Sequence, residues 1–178
     1  SAQEVRPDSG PRAVRFNASC APDCAPDNTG AAGEVYSSSS GGSKLTGEVV
    51  NDFTIEVWLA NVCDPKQGLP GQPGFIFSMS DSSGAINWMA GAERNQKYVA
   101  QVSTSAGLRT FSVTGADFGG DRPHQLVFVR SGTRHTFYVD GAARPGVDQA
   151  GDLSSWNDDL FVHVGNSADR TRPFSGDV

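Results

Sequence analysis

The chain has 178 residues, of which 37% are hydrophobic and 19% charged, and its net charge is −6. This is the size and composition of one globular domain that buries its own core, which excludes a disordered chain. The acidic balance and the lack of any Lys/Arg stripe argue against a nucleic-acid partner, and no apolar run approaches the roughly 18 residues of a membrane span.

The opening segment "SAQEVRPDSGPR", residues 1–12, is polar and irregular and is expected to form a loose arm. No apolar leader region stands before it, and the expectation is that a leader has been removed. "AVRF" (13–16) reads as a short strand. Residues 17–47 are rich in Ser, Gly, Ala, Pro and Asp, with "SSSSGGS" at 37–43, which predicts a long loop with one short strand near Val35-Tyr36. Cys20 and Cys24 fall in this loop and Cys63 in the next. An odd count leaves at least one thiol without an internal partner, so the expected disulfide joins Cys20 to Cys24, or one of them to Cys63. "CAPDC" is no zinc signature, because no second Cys/His pair stands at ligand spacing.

"FTIEVWL" (53–59) sets Phe53, Ile55, Val57 and Leu59 on one face and Thr54, Glu56 and Trp58 on the other. That alternation marks a half-buried strand. "FIFSMS" (75–80), "INWMAG" (86–91), "KYVAQVST" (97–104) and "LRTFSVT" (108–114) follow as strands separated by turn residues. "HQLVFVR" (124–130) and "HTFYVD" (135–140) are joined by "SGT", a hairpin signal, and "LFVHVG" (160–165) is the last full strand. Asp140-Gly141 suits the two positive-φ positions of a type I′ turn. No window has helical periodicity, and the 21 glycines and 10 prolines punctuate many short strands. The pattern predicts an all-β fold, an antiparallel β-sandwich of the jelly-roll kind, over residues 13–178. Trp58, Tyr98 and Tyr138 are expected as partly buried sheet-face aromatics.

Taken together, "FTIEVWL", "FIFSMSDSSGAINWMAG", "HQLVFVRSGTRHTFYVDGA" and "GDLSSWNDDLFVHVGNSADRTRPFSGDV" resemble the laminin-G-like jelly rolls of secreted bacterial proteins, within the concanavalin A-like lectin/glucanase superfold. The likeness runs from Ala13 to Val178, in motif order and spacing. It departs from the family at "RPHQ", where only His124 remains of a Trp-His-His-type run. The family continues beyond "FSGDV" with a further strand, so the resemblance implies that the sheet beside the opening strand lacks a member. An unpaired edge is a template for another strand, and a partner chain or the chain's own tail is expected to cover it.

The superfold includes glucanases, whose retaining members need two carboxylates roughly 5–5.5 Å apart. Glu56 has Thr54 and Trp58 as same-face neighbours, and the adjacent Asp158 and Asp159 would point opposite ways on a strand. His124, His135 and His163 have no nucleophile elbow beside them, and no phosphate-binding loop is present. The expectation is a chain that is not an enzyme and needs no cofactor. The resemblance implies calcium as the one candidate metal. "SSWNDD" (154–159), with Asp152 and Asn166, is the densest oxygen cluster, and Asn157 and Asp159 would be the ligands. The same residues also suit an ordinary self-capping turn.

Two functions follow. The first is an extracytoplasmic (periplasmic or secreted) binding domain, docking to a glycan or a protein partner. Trp88 or Trp156 would serve as the sugar-stacking platform. The second is a structural extrinsic subunit on the periplasmic face of a larger respiratory or photosynthetic membrane complex, near a cytochrome. The polar N-terminal arm and the missing strand favour the second.

Overall fold

The computed structural model describes residues 2–5, 13–16, 35–36, 51–60, 62, 72–81, 84–93, 97–114, 122–156, 160–169 and 171–178. Fourteen strands are present among them, and no helix. In chain order they are β1 (Ala2–Val5), β2 (Ala13–Phe16), β3 (Val35–Tyr36), β4 (Phe53–Leu59), β5 (Gly74–Ser80), β6 (Ile86–Glu93) and β7 (Lys97–Thr104). There follow β8 (Gly107–Thr114), β9 (His124–Ser131), β10 (Arg134–Val139), β11 (Ala142–Ala143), β12 (Val147–Asp148), β13 (Phe161–Val164) and β14 (Gly176–Asp177). All pair antiparallel.

A small three-stranded sheet runs β1-β2-β14; of the two larger sheets, one runs β3-β13-β5-β6-β7-β8 and the other β11-β10-β9-β4, with β12 beside β10. Between them lies one apolar core, which makes the fold the all-β sandwich that the alternating strands predict. Trp88 packs its indole against Phe53, Phe77 and Phe128 at ring-centroid distances of 6.5, 5.5 and 5.5 Å. Phe128 meets Phe137 edge-on at 5.3 Å. Tyr98, Leu59, Ile76 and Phe174 are also fully buried. On β4 the expected faces hold: Leu59 is buried, Phe53, Ile55 and Val57 pack against the core, and Thr54, Glu56 and Trp58 are exposed.

The turns carry the local chemistry that the sequence suggests. Asp140 and Gly141 sit at φ 50° and 76° between Val139 and its partner Ala142, the signature of a type I′ turn. Gly132, at φ 57°, opens the two-residue link between β9 and β10, and its amide donates to the Asp52 carboxylate.

Three expectations change. Residues 2–5, read as part of a loose arm, form β1 and pair with β2 from Ala2↔Phe16 to Val5↔Ala13. β2 also pairs with β14, at Gly176↔Phe16 and Asp177↔Arg15, so β14 takes part of the edge expected to stand open. Tyr98 is fully buried rather than half-exposed, because its side chain lies on the core face of β7 with Ala100 and Val102. Trp58, in contrast, is 56% exposed.

Candidate binding site

β5 changes face through an irregularity between Phe75 and Phe77. Ile76 and Met79 enter the core, while Ser78 and Ser80 lie on the outer face of the six-stranded sheet. The register builds a row across that face: His163, Ser78, Met89, Gln101 and Thr110 on β13, β5, β6, β7 and β8. Gln101 Nε2 donates to Thr110 Oγ1 at 3.1 Å.

The segment after β13 folds back over this row. Gly165 N donates to Ile76 O, Phe174 N to Gly165 O, and Phe75 N to Arg172 O, each at 2.9 Å. Inside the loop, Asn166 Oδ1 accepts from the backbone amides of Ser167 (2.9 Å) and Arg172 (3.1 Å). Asp169 Oδ1 accepts from Ser167 Oγ (2.6 Å), Thr171 Oγ1 (2.8 Å) and Thr171 N (3.1 Å). The Ser167 hydroxyl, the Thr171 contacts and the nearby Arg172 charge hold the Asp169 carboxyl below the usual carboxylate range.

Loop and sheet together enclose a cleft of about 290 Å³, lined among others by Phe75, Ser78, Ser80, Gln101, Asp169 and Arg172. Its floor carries an unusual feature. Ser78 and Ser80 are each 1% exposed, and neither hydroxyl has a hydrogen-bond partner among the described residues. A buried polar group without a partner costs about 1–3 kcal/mol, so two at one cleft mark a place suited to an incoming polar group.

Two other polar clusters serve the fold. Asp140 Oδ2 meets His124 Nδ1 at 2.8 Å and Arg122 Nη2 at 3.1 Å, and its Oδ1 accepts from Gln125 N at 2.9 Å. Burial raises this carboxyl, but the His124 and Gln125 hydrogen bonds and the Arg122 charge outweigh it and hold it low. Asp140 is thus a turn residue clamped to the start of β9. The second cluster is a core cation. Arg130, 1% exposed, donates to Asn51 O (3.1 Å), Gly151 O (2.8 Å) and His135 Nε2 (2.7 Å). A guanidinium has no lone pair to offer, so His135 accepts at Nε2 and carries its proton on Nδ1. The His135 ring stacks on Phe111 at 4.6 Å. Burial first, then the Arg130 charge, lowers the imidazole to about 4.

The residues singled out from sequence fare differently. Trp88 is 1% exposed and belongs to the core, so it offers no surface for a sugar ring. Its position on β6 places it opposite Met79 and Val102, facing inward. Trp156 is half-buried, packs on Phe53 at 5.8 Å and donates from Nε1 to Ser103 O at 2.8 Å. Asn157 and Asp159 lie outside the described residues, as do Cys20, Cys24 and Cys63. Of the Asp and Asn residues in the calcium cluster, Asp152 and Asn166 are described. Asp152 Oδ1 accepts from Ser154 N and Oγ, and Asn166 Oδ1 serves its own loop. Both oxygens fit the self-capping-turn reading, and among the described residues no group of three or more His, Cys, Asp or Glu gathers.

Sequence reasoning missed the cleft itself. The signal was the pair of serines alternating with Met79 in "FSMS", which places hydroxyls at successive positions on one face of a strand otherwise apolar. It also undervalued Trp58, whose ring stands on the outer face of the other sheet. There Glu56 Oε1 accepts from Trp58 Nε1 at 2.8 Å and from Gln125 Nε2 at 2.7 Å.

Comparison with known proteins agrees with this architecture. Mouse laminin α1 domains LG4-5 superpose with a TM-score of 0.51 at 17% identity, over 72% of this chain and 34% of that one. The binding domain of botulinum neurotoxin DC, solved with rat synaptotagmin II, gives 0.61 at 12%, over 97% and 41%. The binding domain of paraclostridial mosquitocidal protein 1 gives 0.57 at 11%, over 99% and 40%. This chain therefore spans between one third and about two fifths of those solved chains, and at such identities the likeness is one of fold. No curated protein matches the sequence. A laminin G family model, described as the concanavalin A-like lectin/glucanases superfamily, matches residues 30–178, and the chain belongs to that family.

Proposed function

We propose that the domain is a non-catalytic binding module of an extracytoplasmic protein, and that its ligand enters the cleft between β5–β7 and residues 165–169 and 171–173. The observation that carries this reading is the cleft floor, where the Ser78 and Ser80 hydroxyls are buried and unpartnered. Three acidic groups are engaged in the fold's own bonds: Glu56 with Trp58 and Gln125, Asp140 with its turn, and Asp169 with Ser167 and Thr171. Such engagement suits structural roles better than general acid or base work. The two toxin chains of this fold are themselves titled binding domains, one of them in complex with a protein.

A glycan array probed with the folded chain tests the reading, alongside pull-down of stoichiometric proteins from membranes of the source. The proposal expects reproducible array binding that is lost in Arg172→Ala. Array silence together with capture of a stoichiometric complex would replace it with the subunit reading.

A further inference from the structure

We infer that the outer edge of β8 is a dimerisation edge. It takes β8 of a second copy of this chain, antiparallel about a two-fold axis at Phe111, and the two six-stranded sheets become one. The inference is independent of the cleft.

The six-stranded sheet ends on one side in the two-residue β3 and on the other in β8, which pairs only with β7 among the described residues. β8 lacks the devices that ordinarily blunt an edge. Its sequence, "GLRTFSVT", has no proline and no lysine, and its single charge is Arg109. Its register against β7 runs from Lys97↔Thr114 to Thr104↔Gly107 without a shift. Only Phe111 and Val113 are buried, and Leu108 is 56% exposed. The long end of the other sheet, β4, differs. A Cβ on Gly176 would stand 3.3 Å from the Ala60 carbonyl, so β14 lies against the end of β4.

The register decides the occupant. Ser105 and Ala106 form a two-residue link, which makes Thr104↔Gly107 a hydrogen-bonded pair. Counting on from it, Arg109, Phe111 and Val113 turn their amides and carbonyls to β7, while Leu108, Thr110, Ser112 and Thr114 turn theirs outward. Those outward residues are symmetric about Phe111. A second β8 laid with the two Phe111 opposite each other sets Leu108 against Thr114 of the partner and Thr110 against Ser112 of the partner. Each such pair exchanges both backbone hydrogen bonds, so every outward group from Leu108 to Thr114 is satisfied. Thr110 Oγ1 accepts from Gln101 Nε2, which leaves its own proton to give to the facing serine, a favoured cross-strand pair. Opposed side chains share a face, so core face continues into core face. The charge fits the same register. The two Arg109 stand four residues apart along the strands, about 14 Å at ~3.4 Å each, beyond a Debye length of about 8 Å. An axis at Thr110 instead leaves Thr114 unpaired and brings the two Arg109 within two residues of each other. A foreign strand calls for no such symmetry, whereas a second copy does.

Sedimentation equilibrium of the whole chain, from micromolar to submillimolar concentration at physiological salt, should show a reversible monomer–dimer equilibrium. Ser112→Pro deletes an outward amide and keeps every bond to β7. It should raise the dimer dissociation constant at least about tenfold. Ser112→Ala keeps the amide and should raise it less. Amide hydrogen exchange locates the contact. Protection at Leu108, Thr110, Ser112 and Thr114 should rise with protein concentration, while Arg109, Phe111 and Val113, bonded to β7, stay protected throughout. This alternation decides the matter by itself if the proline variant does not fold. A monomer at every concentration overturns the inference, whether those outward amides exchange freely or are protected by the chain's own residues. A dimer that Ser112→Pro leaves intact, with exchange on β8 independent of concentration, overturns it as well.

Discussion

Lowering the pH from 7 to 4 should destabilise the sandwich through one buried side chain, His135. The ring is 2% exposed, stacked on Phe111, and receives the Arg130 guanidinium at Nε2. Asp148, on the neighbouring strand, pulls the imidazole slightly the other way. In the unfolded chain the imidazole titrates near its ordinary value of 6.5, whereas in the fold it is lowered to about 4. Between those values the unfolded chain binds the extra proton and the fold does not, so stability falls as pH falls. The contribution is complete above about 6.5 and is lost progressively toward 4. A difference of about 2.5 units at 1.36 kcal/mol each amounts to about 3 kcal/mol. That is a large share of the 5–15 kcal/mol typical of a domain. The assay is denaturant unfolding at half-unit steps from pH 7.5 to 4, for the wild type and His135→Gln. Glutamine keeps an acceptor for Arg130 and does not titrate. The variant should lose most of the slope between pH 6.5 and 4.5. Parallel curves for the two proteins across that window would refute the assignment of the slope to His135.

Trp88→Ala should cost about 3–5 kcal/mol in chemical denaturation, because its indole is fully enclosed by Phe53, Phe77 and Phe128. Trp58→Ala, on the exposed face, should change stability by no more than about 0.5 kcal/mol in the same assay. Asp140→Ala removes the His124, Arg122 and Gln125 bonds and forces alanine to φ 50°, and a loss of about 1–3 kcal/mol is expected from its melting curve. Arg130→Met leaves Asn51 O and Gly151 O without their donor, and thermal unfolding should report a loss of about 2–5 kcal/mol.

The sheet framework was legible because its strands alternate. β4 sets Thr54 and Glu56 between Phe53, Ile55 and Val57, and "VDGA" carries the turn chemistry of the β10–β11 link. Trp88 and Trp58 show the limit. Both stand on strands, and alternation alone put Trp58 on the outer face, yet the glycine- and alanine-rich "INWMAGAE" has no polar alternation to orient Trp88. β1 was not legible either, since four polar and small residues become a strand only when β2 offers a ladder. The cleft depends on contacts between residues nearly a hundred positions apart (172 − 75 = 97), such as the hydrogen bond from Phe75 N to Arg172 O, which no local pattern encodes. Arg130 illustrates the same point: its partners Asn51, His135 and Gly151 come from three separate segments.

The central claim is that ligand binds over Ser78, Ser80 and Arg172 rather than on the Trp58 face of the opposite sheet. Two-dimensional amide NMR of the labelled chain, titrated with a glycan that the array identifies, addresses it most directly. The account predicts shifts concentrated at residues 73–86, around Gln101 and at 167–172, and their loss in Arg172→Ala. Shifts clustered instead on β4, β9 and β10 around Trp58, Gln125 and Tyr138, unchanged in Arg172→Ala, would contradict it.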